Sequence, residues 1–186
     1  MKKSVFIILL LITYTYCNGQ ATLVTDKQGD IAGNNAAMPN FAAEVLNGEF
    51  TDEKTFEFDV YINSLAGSFT LTEYQVALSF NHNITSNLSD LTFSYIIGSS
   101  QLNNKPSHAI GINSGKLTFA VGSPLADTIT ATNKRIGRFK LVNNGPFLAF
   151  NPVIEWNFDI PVNTIIGKNG VDITQDGVFI KSSAQR

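Results

Sequence analysis

The sequence predicts an all-β protein, a β-sandwich of about eight or nine short strands behind a cleaved leader. Three observations lead there. Residues 55–80 alternate with period two: Phe56, Phe58, Val60 and Ile62 share one face of an extended segment while Glu57, Asp59, Tyr61 and Asn63 take the other. The pattern returns after a Gly67-containing loop, with Tyr74, Val76, Leu78 and Phe80 set against Glu73, Gln75, Ala77 and Ser79. Such alternation marks half-buried antiparallel strands. Outside the leader no window carries a sustained helical stripe, and fourteen Phe among many Thr, Ile and Asn/Gly pairs suit strands and turns.

The leader is set apart from the fold. Lys2 and Lys3 precede an uninterrupted apolar run over 5–12. That run is shorter than the roughly 20 residues a membrane span needs. Cys17 and Gly19 then stand at the −3 and −1 positions of a cleavage before Gln20. The predicted organisation is therefore a signal peptide over 1–19, an extended segment over 20–40 and a sandwich over 41–186. The product is expected to be secreted or on the cell surface, without a membrane span. Tyr16 occupies the position before Cys17 where a lipobox has a small residue, which argues against a lipoprotein.

Cleavage removes Lys2 and Lys3, so 13 basic residues become 11 against 15 acidic ones, a net charge of −4 with His neutral. It also removes the single cysteine. The domain then rests on its core alone, which a chain of this length can supply. A weakly acidic balance gives no basis for nucleic acid or an anionic membrane surface.

Along the chain, 20–40 lacks periodicity and is rich in Gly and Asn, with a short strand expected over 22–25. Phe41, Ala43 and Val45 open the regular structure, and Asn47-Gly48 is a turn signal. Leu91, Phe93, Tyr95 and Ile97 alternate next. Residues 98–113 read as a long loop, followed by Leu117, Phe119 and Val121 on one face of a strand. In 135–142, Phe139 and Leu141 share a parity that Ile136 does not, and Gly137 lies between. An extra residue at a glycine is how a β-bulge shifts phase. Asn143-Asn144-Gly145-Pro146 is a turn; Ile154, Trp156, Phe158 and Ile160 alternate after it; the last strands are expected over 170–173 and 177–181. The expected core is Phe56, Phe58, Val60, Tyr74, Val76, Leu78, Phe80, Leu117, Phe119, Phe139, Leu141, Trp156 and Phe158, the apolar parities of these strands.

The segments FEFDVYI (56–62), EYQVALSFN (73–81), the strand around 117–121 and KRIGRFKLVN (134–143) together resemble the cohesin-like modules of exported bacterial proteins. These share a nine-stranded jelly roll with several carbohydrate-binding families. The resemblance covers 41–181 and is similar in dress to modules of secreted multidomain Bacteroidota proteins. It implies a non-catalytic module that attaches a secreted or cell-surface protein partner, or alternatively one that binds a polysaccharide.

The residues give little chemistry of their own. His82 and His108 lie in polar segments without zinc-ligand spacing, and no nucleophile motif is present. Glu57, Asp59, Glu73, Glu155 and Asp159 fall on polar phases of strands, so the ordinary reading is a wet sheet face and not the paired carboxylates of a glycosidase. The chain is thus not expected to be an enzyme. Calcium is the one cofactor considered, with Asn169, Asp172 and Asp176 as oxygen ligands; turn formation explains the same residues without an ion. For a sugar, the expected contacts are Tyr61, the best exposed aromatic, with Glu57 and Asp59 beside it. Asp127-Thr128-Ile129 resembles the short O-glycosylation motif of exported Bacteroidota proteins, which makes Thr128 the candidate modified residue.

Overall fold

A computed structural model describes residues 22–23, 40–121, 126–149 and 151–181. The leader and its cleavage site, and the 20–40 segment apart from its two paired residues and Asn40, lie outside the described residues. The strands are β1 (Thr22–Leu23), β2 (Phe41–Asp52), β3 (Thr55–Ser64), β4 (Phe69–Leu71), β5 (Glu73–Ser79), β6 (Leu91–Tyr95), β7 (Pro106–Asn113), β8 (Lys116–Val121), β9 (Asp127–Ile129), β10 (Lys134–Asn143), β11 (Glu155–Trp156), β12 (Ile165–Lys168), β13 (Val171–Asp172) and β14 (Gly177–Lys181). A first sheet runs β1-β14-β2-β3-β10-β6 and a second runs β13-β12-β5-β8-β7, with β11 also on β5; β4 and β9 form a separate ribbon. Every pairing is antiparallel except β14 with β2. The all-β sandwich is as the alternation predicts, but it has more strands than expected, because five are pieces of only two or three residues.

The core lies between the sheets. Phe58, Phe93 and Phe139 of the first sheet stack with centroids 5.4–6.1 Å apart. Phe119 of the second sheet stacks on Phe139 at 4.1 Å. Aromatic rings from both layers therefore interlock across the sandwich, an arrangement that adds to the gain from burial alone. Of the thirteen residues expected in the core, Trp156 and Phe158 depart: Trp156 is half-buried at the rim, and Phe158 is 39% exposed.

The cause lies in 154–160, which the alternation reads as one strand. Only Glu155–Trp156 pairs with β5. After the Asn157 amide donates to the Ala77 carbonyl (2.9 Å), the chain leaves the β5 edge and returns at Thr164. There the Thr164 hydroxyl accepts from the Ala77 amide (3.1 Å) and donates to its carbonyl (3.0 Å), standing in for a strand residue. Pro161, with no N–H, has nothing to give the ladder. Ile160 consequently projects outward, 84% exposed.

Two glycines mark close approaches. The phase shift expected at Gly137 is present as a register break between Arg135 and Gly137, with Ile136, Phe139 and Leu141 all buried. A Cβ at Gly137 would stand 2.9 Å from the Tyr95 ring. Asn47-Gly48, expected as a turn, is instead a bulge within β2: Asn47 has φ 54° and the register breaks between Leu46 and Glu49. A Cβ at Gly48 would meet Phe56 at 2.9 Å. The β2–β3 turn falls later, where Asp52 Oδ1 accepts from the Lys54 amide at 2.7 Å. The long loop expected over 98–113 also contains β7. Its register breaks twice, around His108, and Ala109 has φ 52°, so no alternation survives for a sequence to show.

A buried polar hub ties the loop before β7 to the core. Tyr74 donates to the Asn104 carbonyl (2.6 Å), and the Asp127 carboxylate accepts from the Asn103 (2.8 Å) and Asn104 (2.7 Å) amides. Burial, with Tyr95 and Asp127 nearby, pushes the Tyr74 hydroxyl well above the usual tyrosine value. Below that usual value, about 10, both folded and unfolded chains hold the proton. Above it the unfolded chain has released a proton that the folded chain keeps, so stability falls as pH rises. Urea unfolding across this range should therefore show a steep alkaline loss in the native protein and a shallower one in Tyr74→Phe. Parallel curves would place the loss elsewhere.

Candidate functional site

The two outward faces of the sandwich differ in kind. On the first sheet, cross-strand partners form rows Glu44–Tyr61–Arg135, Leu46–Asp59–Arg138 and Glu49–Glu57–Lys140. Asp59 is only 2% exposed. It accepts from Asn47 Nδ2 (2.7 Å), Arg135 Nη1 (3.5 Å) and Arg138 Nη1 (3.4 Å). Arg138 also donates to Glu57 (2.7 Å) and to Glu49. Partial burial works against the Arg138 charge, yet the hydrogen bonds to Glu57 and Glu49 and the charge of Asp59 hold its pKa above the usual guanidinium value. Tyr61, Glu57 and Asp59, the residues expected to meet a sugar, do share this face. Both carboxylates are engaged by arginines, and Tyr61 is half-buried between Glu44 and Arg135. The alternation located the acidic residues but not their partners, since Arg135 and Arg138 straddle the bulge and look out of phase in sequence.

The outward side of the second sheet carries small side chains, with Ala77 and Thr118 buried and Gln75, Ser79, Ala120 and Ile165 half-buried. Rows run Asp172–Gly167–Glu73, then Ile165–Gln75–Ala120–His108, then Ala77–Thr118–Gly111, then Glu155–Ser79, with Lys116 opposite Asn113. Cross-strand partners share a face, so these residues lie together. Apart from Glu73, exposed at the β12 end, the charges among them are mostly spent. Lys116 Nζ donates to the carbonyls of Asp159 (2.9 Å) and Val162 (3.1 Å), and Lys181 pairs with Glu155 at 2.5 Å. Lys116 thereby clasps the excursion over 157–164. Asn157 Nδ2 donates to the same two carbonyls (3.1 and 2.9 Å), and Gln75 Nε2 donates to the Asn163 carbonyl (2.8 Å). Phe158 rests edge-on against Phe179 at 4.8 Å, leaving Ile160 at the tip.

The remaining candidates are dispersed. Thr128 is exposed, but in strand β9 opposite Thr70 and not in the loop the sequence suggests. The neighbouring Asp127 is buried and bound by two amides, a structural role that accounts for an acid at that position. Asp172 accepts from the Thr174 amide (2.9 Å) and hydroxyl (2.5 Å), as a turn-forming residue does. Among the described residues no group of three or more His, Cys, Asp or Glu gathers as metal ligands do, and Asn169, Asp172 and Asp176 form turns at the β12–β13–β14 connections. His82 Nε2 lies 2.8 Å from the Gly115 carbonyl, with its ring 4.7 Å from Phe80, and His108 is exposed. Among the described residues no helix is long and apolar enough to cross a membrane.

No protein-family model matches this chain, and no curated protein does. Among solved structures, the chain is similar to one in the crystal structure of a type II cohesin-X-dockerin complex, an N-terminal interface mutant, from Acetivibrio cellulolyticus. The identity is 10% and the TM-score 0.45, covering 77% of this chain and 95% of that one.

Proposed function

We propose that the chain is a non-catalytic, exported binding module of cohesin-like, jelly-roll type that attaches to another secreted or cell-surface protein through the outer face of its second sheet. One observation carries the reading: the contrast between the faces. The centres of protein interfaces are depleted in charge. The first sheet carries a laced network of acids and arginines, whereas the middle of the second offers Ala120, Gln75, Ser79 and Ile165, with Lys116 already clasped and the exposed acids Glu73 and Asp172 confined to the β12–β13 end. The supporting geometry is extended by the excursion, which places Ile160 beside that face. Thr128 is offered as the glycosylated residue.

The test is capture from the organism's own secreted proteins on immobilised residues 20–186, wild type against Ala120→Arg. A long cation in the middle of the face is expected to reduce capture at least tenfold, about 1.4 kcal/mol. Equal capture by the two proteins, or none by either, would remove the protein-binding reading. Retardation on a polysaccharide gel that Tyr61→Ala abolishes would move the ligand to the first sheet and to sugar.

A further inference from the structure

The described residues contain three Asn-Gly pairs, Asn47-Gly48, Asn144-Gly145 and Asn169-Gly170. Their chemistry is the same, and glycine, lacking a Cβ, leaves its own amide nitrogen open to reaction. Their surroundings are not the same. The Asn47 side chain is held by Asp59 at 2.7 Å, and Gly48 is buried against Phe56 inside the β2 bulge. Asn144 is tied twice to Asp90, through its backbone amide (3.0 Å) and its side chain (3.4 Å). Asn169 and Gly170 are both exposed, and together they form the two-residue turn between β12 and β13, with φ 51° and 76°. The flanking strand pairs are Lys168 with Val171 and Gly167 with Asp172, at the edge of the second sheet; the Asn169 backbone amide donates to Thr72 Oγ1 (2.9 Å), while its side chain and the Gly170 amide lie in the solvent-exposed turn. So short a hairpin opens locally without disturbing the core.

We infer that Asn169 is a site of spontaneous covalent modification, converting through a succinimide to aspartate and isoaspartate, while the fold protects Asn47 and Asn144. The Gly170 amide gives up its proton to base and its nitrogen attacks the side-chain carbonyl carbon of Asn169. The new C–N bond closes the ring as the bond to Nδ2 breaks, and ammonia leaves. Water then opens the ring at either carbonyl, with nothing oxidised or reduced. The isoaspartyl product carries an extra methylene in the main chain of a two-residue turn, which breaks the β12–β13 register beside Glu73. The placement is also protective: at Asn47 the same reaction would set a carboxylate against buried Asp59.

The experiment ages the purified full chain at mildly alkaline pH and follows the Asn47, Asn144 and Asn169 peptides by mass spectrometry, apart from the fourth Asn-Gly pair, Asn18-Gly19, in the leader. Isoaspartate is read with a protein-isoaspartyl methyltransferase and labelled S-adenosylmethionine as probe. In native buffer the Asn169 peptide is expected to convert several-fold faster than the other two, and in urea the three rates are expected to converge. Asn169→Gln should remove most of the native methyl acceptance carried by the peptides of these three pairs. Native ratios that match those in urea, or faster conversion at Asn47 or Asn144, overturn the inference.

Discussion

Phe58→Ala is expected to cost about 3–5 kcal/mol, a large part of the roughly 5–15 kcal/mol that holds a domain together. Phe58 is wholly buried and stacks on Phe93 and Phe139, and Phe139 in turn stacks on Phe119 across the sandwich. Truncation leaves a space bounded by strands whose ladders fix their separation, so the walls relax little. Lys140→Ala is the control. Lys140 is exposed and one residue from Phe139 on the other phase of β10, and a surface change of this kind stays within about 0.5 kcal/mol. The single tryptophan, Trp156, reports unfolding, because its ring packs 5.0 Å from Phe179 and leaves that contact when the sheets part. Urea curves displaced equally by the two substitutions would mean that the phase of the strands is misassigned.

The sandwich was legible wherever a strand is regular and buried on one side. β3, β5, β8 and the bulged β10 all carry the parity their sequences display, and even the phase shift at Gly137 could be read, because it separates two buried parities. Legibility ended where side chains replace the ladder. Nothing in 154–160 announces that the Thr164 hydroxyl will take a strand residue's place opposite Ala77, so Trp156 and Phe158 read as core although they lie at the rim. β7 was hidden by two register breaks, and Asn47-Gly48 read as a turn because a left-handed residue serves a bulge as well as it serves a hairpin. At the surface, the acids Glu57 and Asp59 were visible but their arginine partners were not. Pairing across β3 and β10 depends on register, and register there passes through the bulge.

That pairing makes Asp59 the second position of large effect. An exposed ion pair contributes at most about 1 kcal/mol, whereas removing one partner of a buried pair costs about 3–5 kcal/mol because it strands the other charge. Asp59 belongs to the second class at 2% exposure, with Asn47, Arg135 and Arg138 all directed at it. Arg138 keeps Glu57 and Glu49 when Asp59 is lost, and Arg135 keeps only the Ser99 carbonyl (2.7 Å), so the groups left short of a partner are the Asn47 amide and the Arg135 charge. Asp59→Ala is therefore expected near the low end, about 3 kcal/mol. Glu155→Ala, which breaks the more exposed pair with Lys181, is expected to cost less than about 1 kcal/mol. The mechanism has its own signature. If stranded charge is the cause, Arg135→Ala in the Asp59→Ala background should cost less than in the native protein, with a coupling above about 0.5 kcal/mol. Strictly additive losses in that cycle would show that Asp59 acts through packing alone and that the network does not hold the first sheet's outer face.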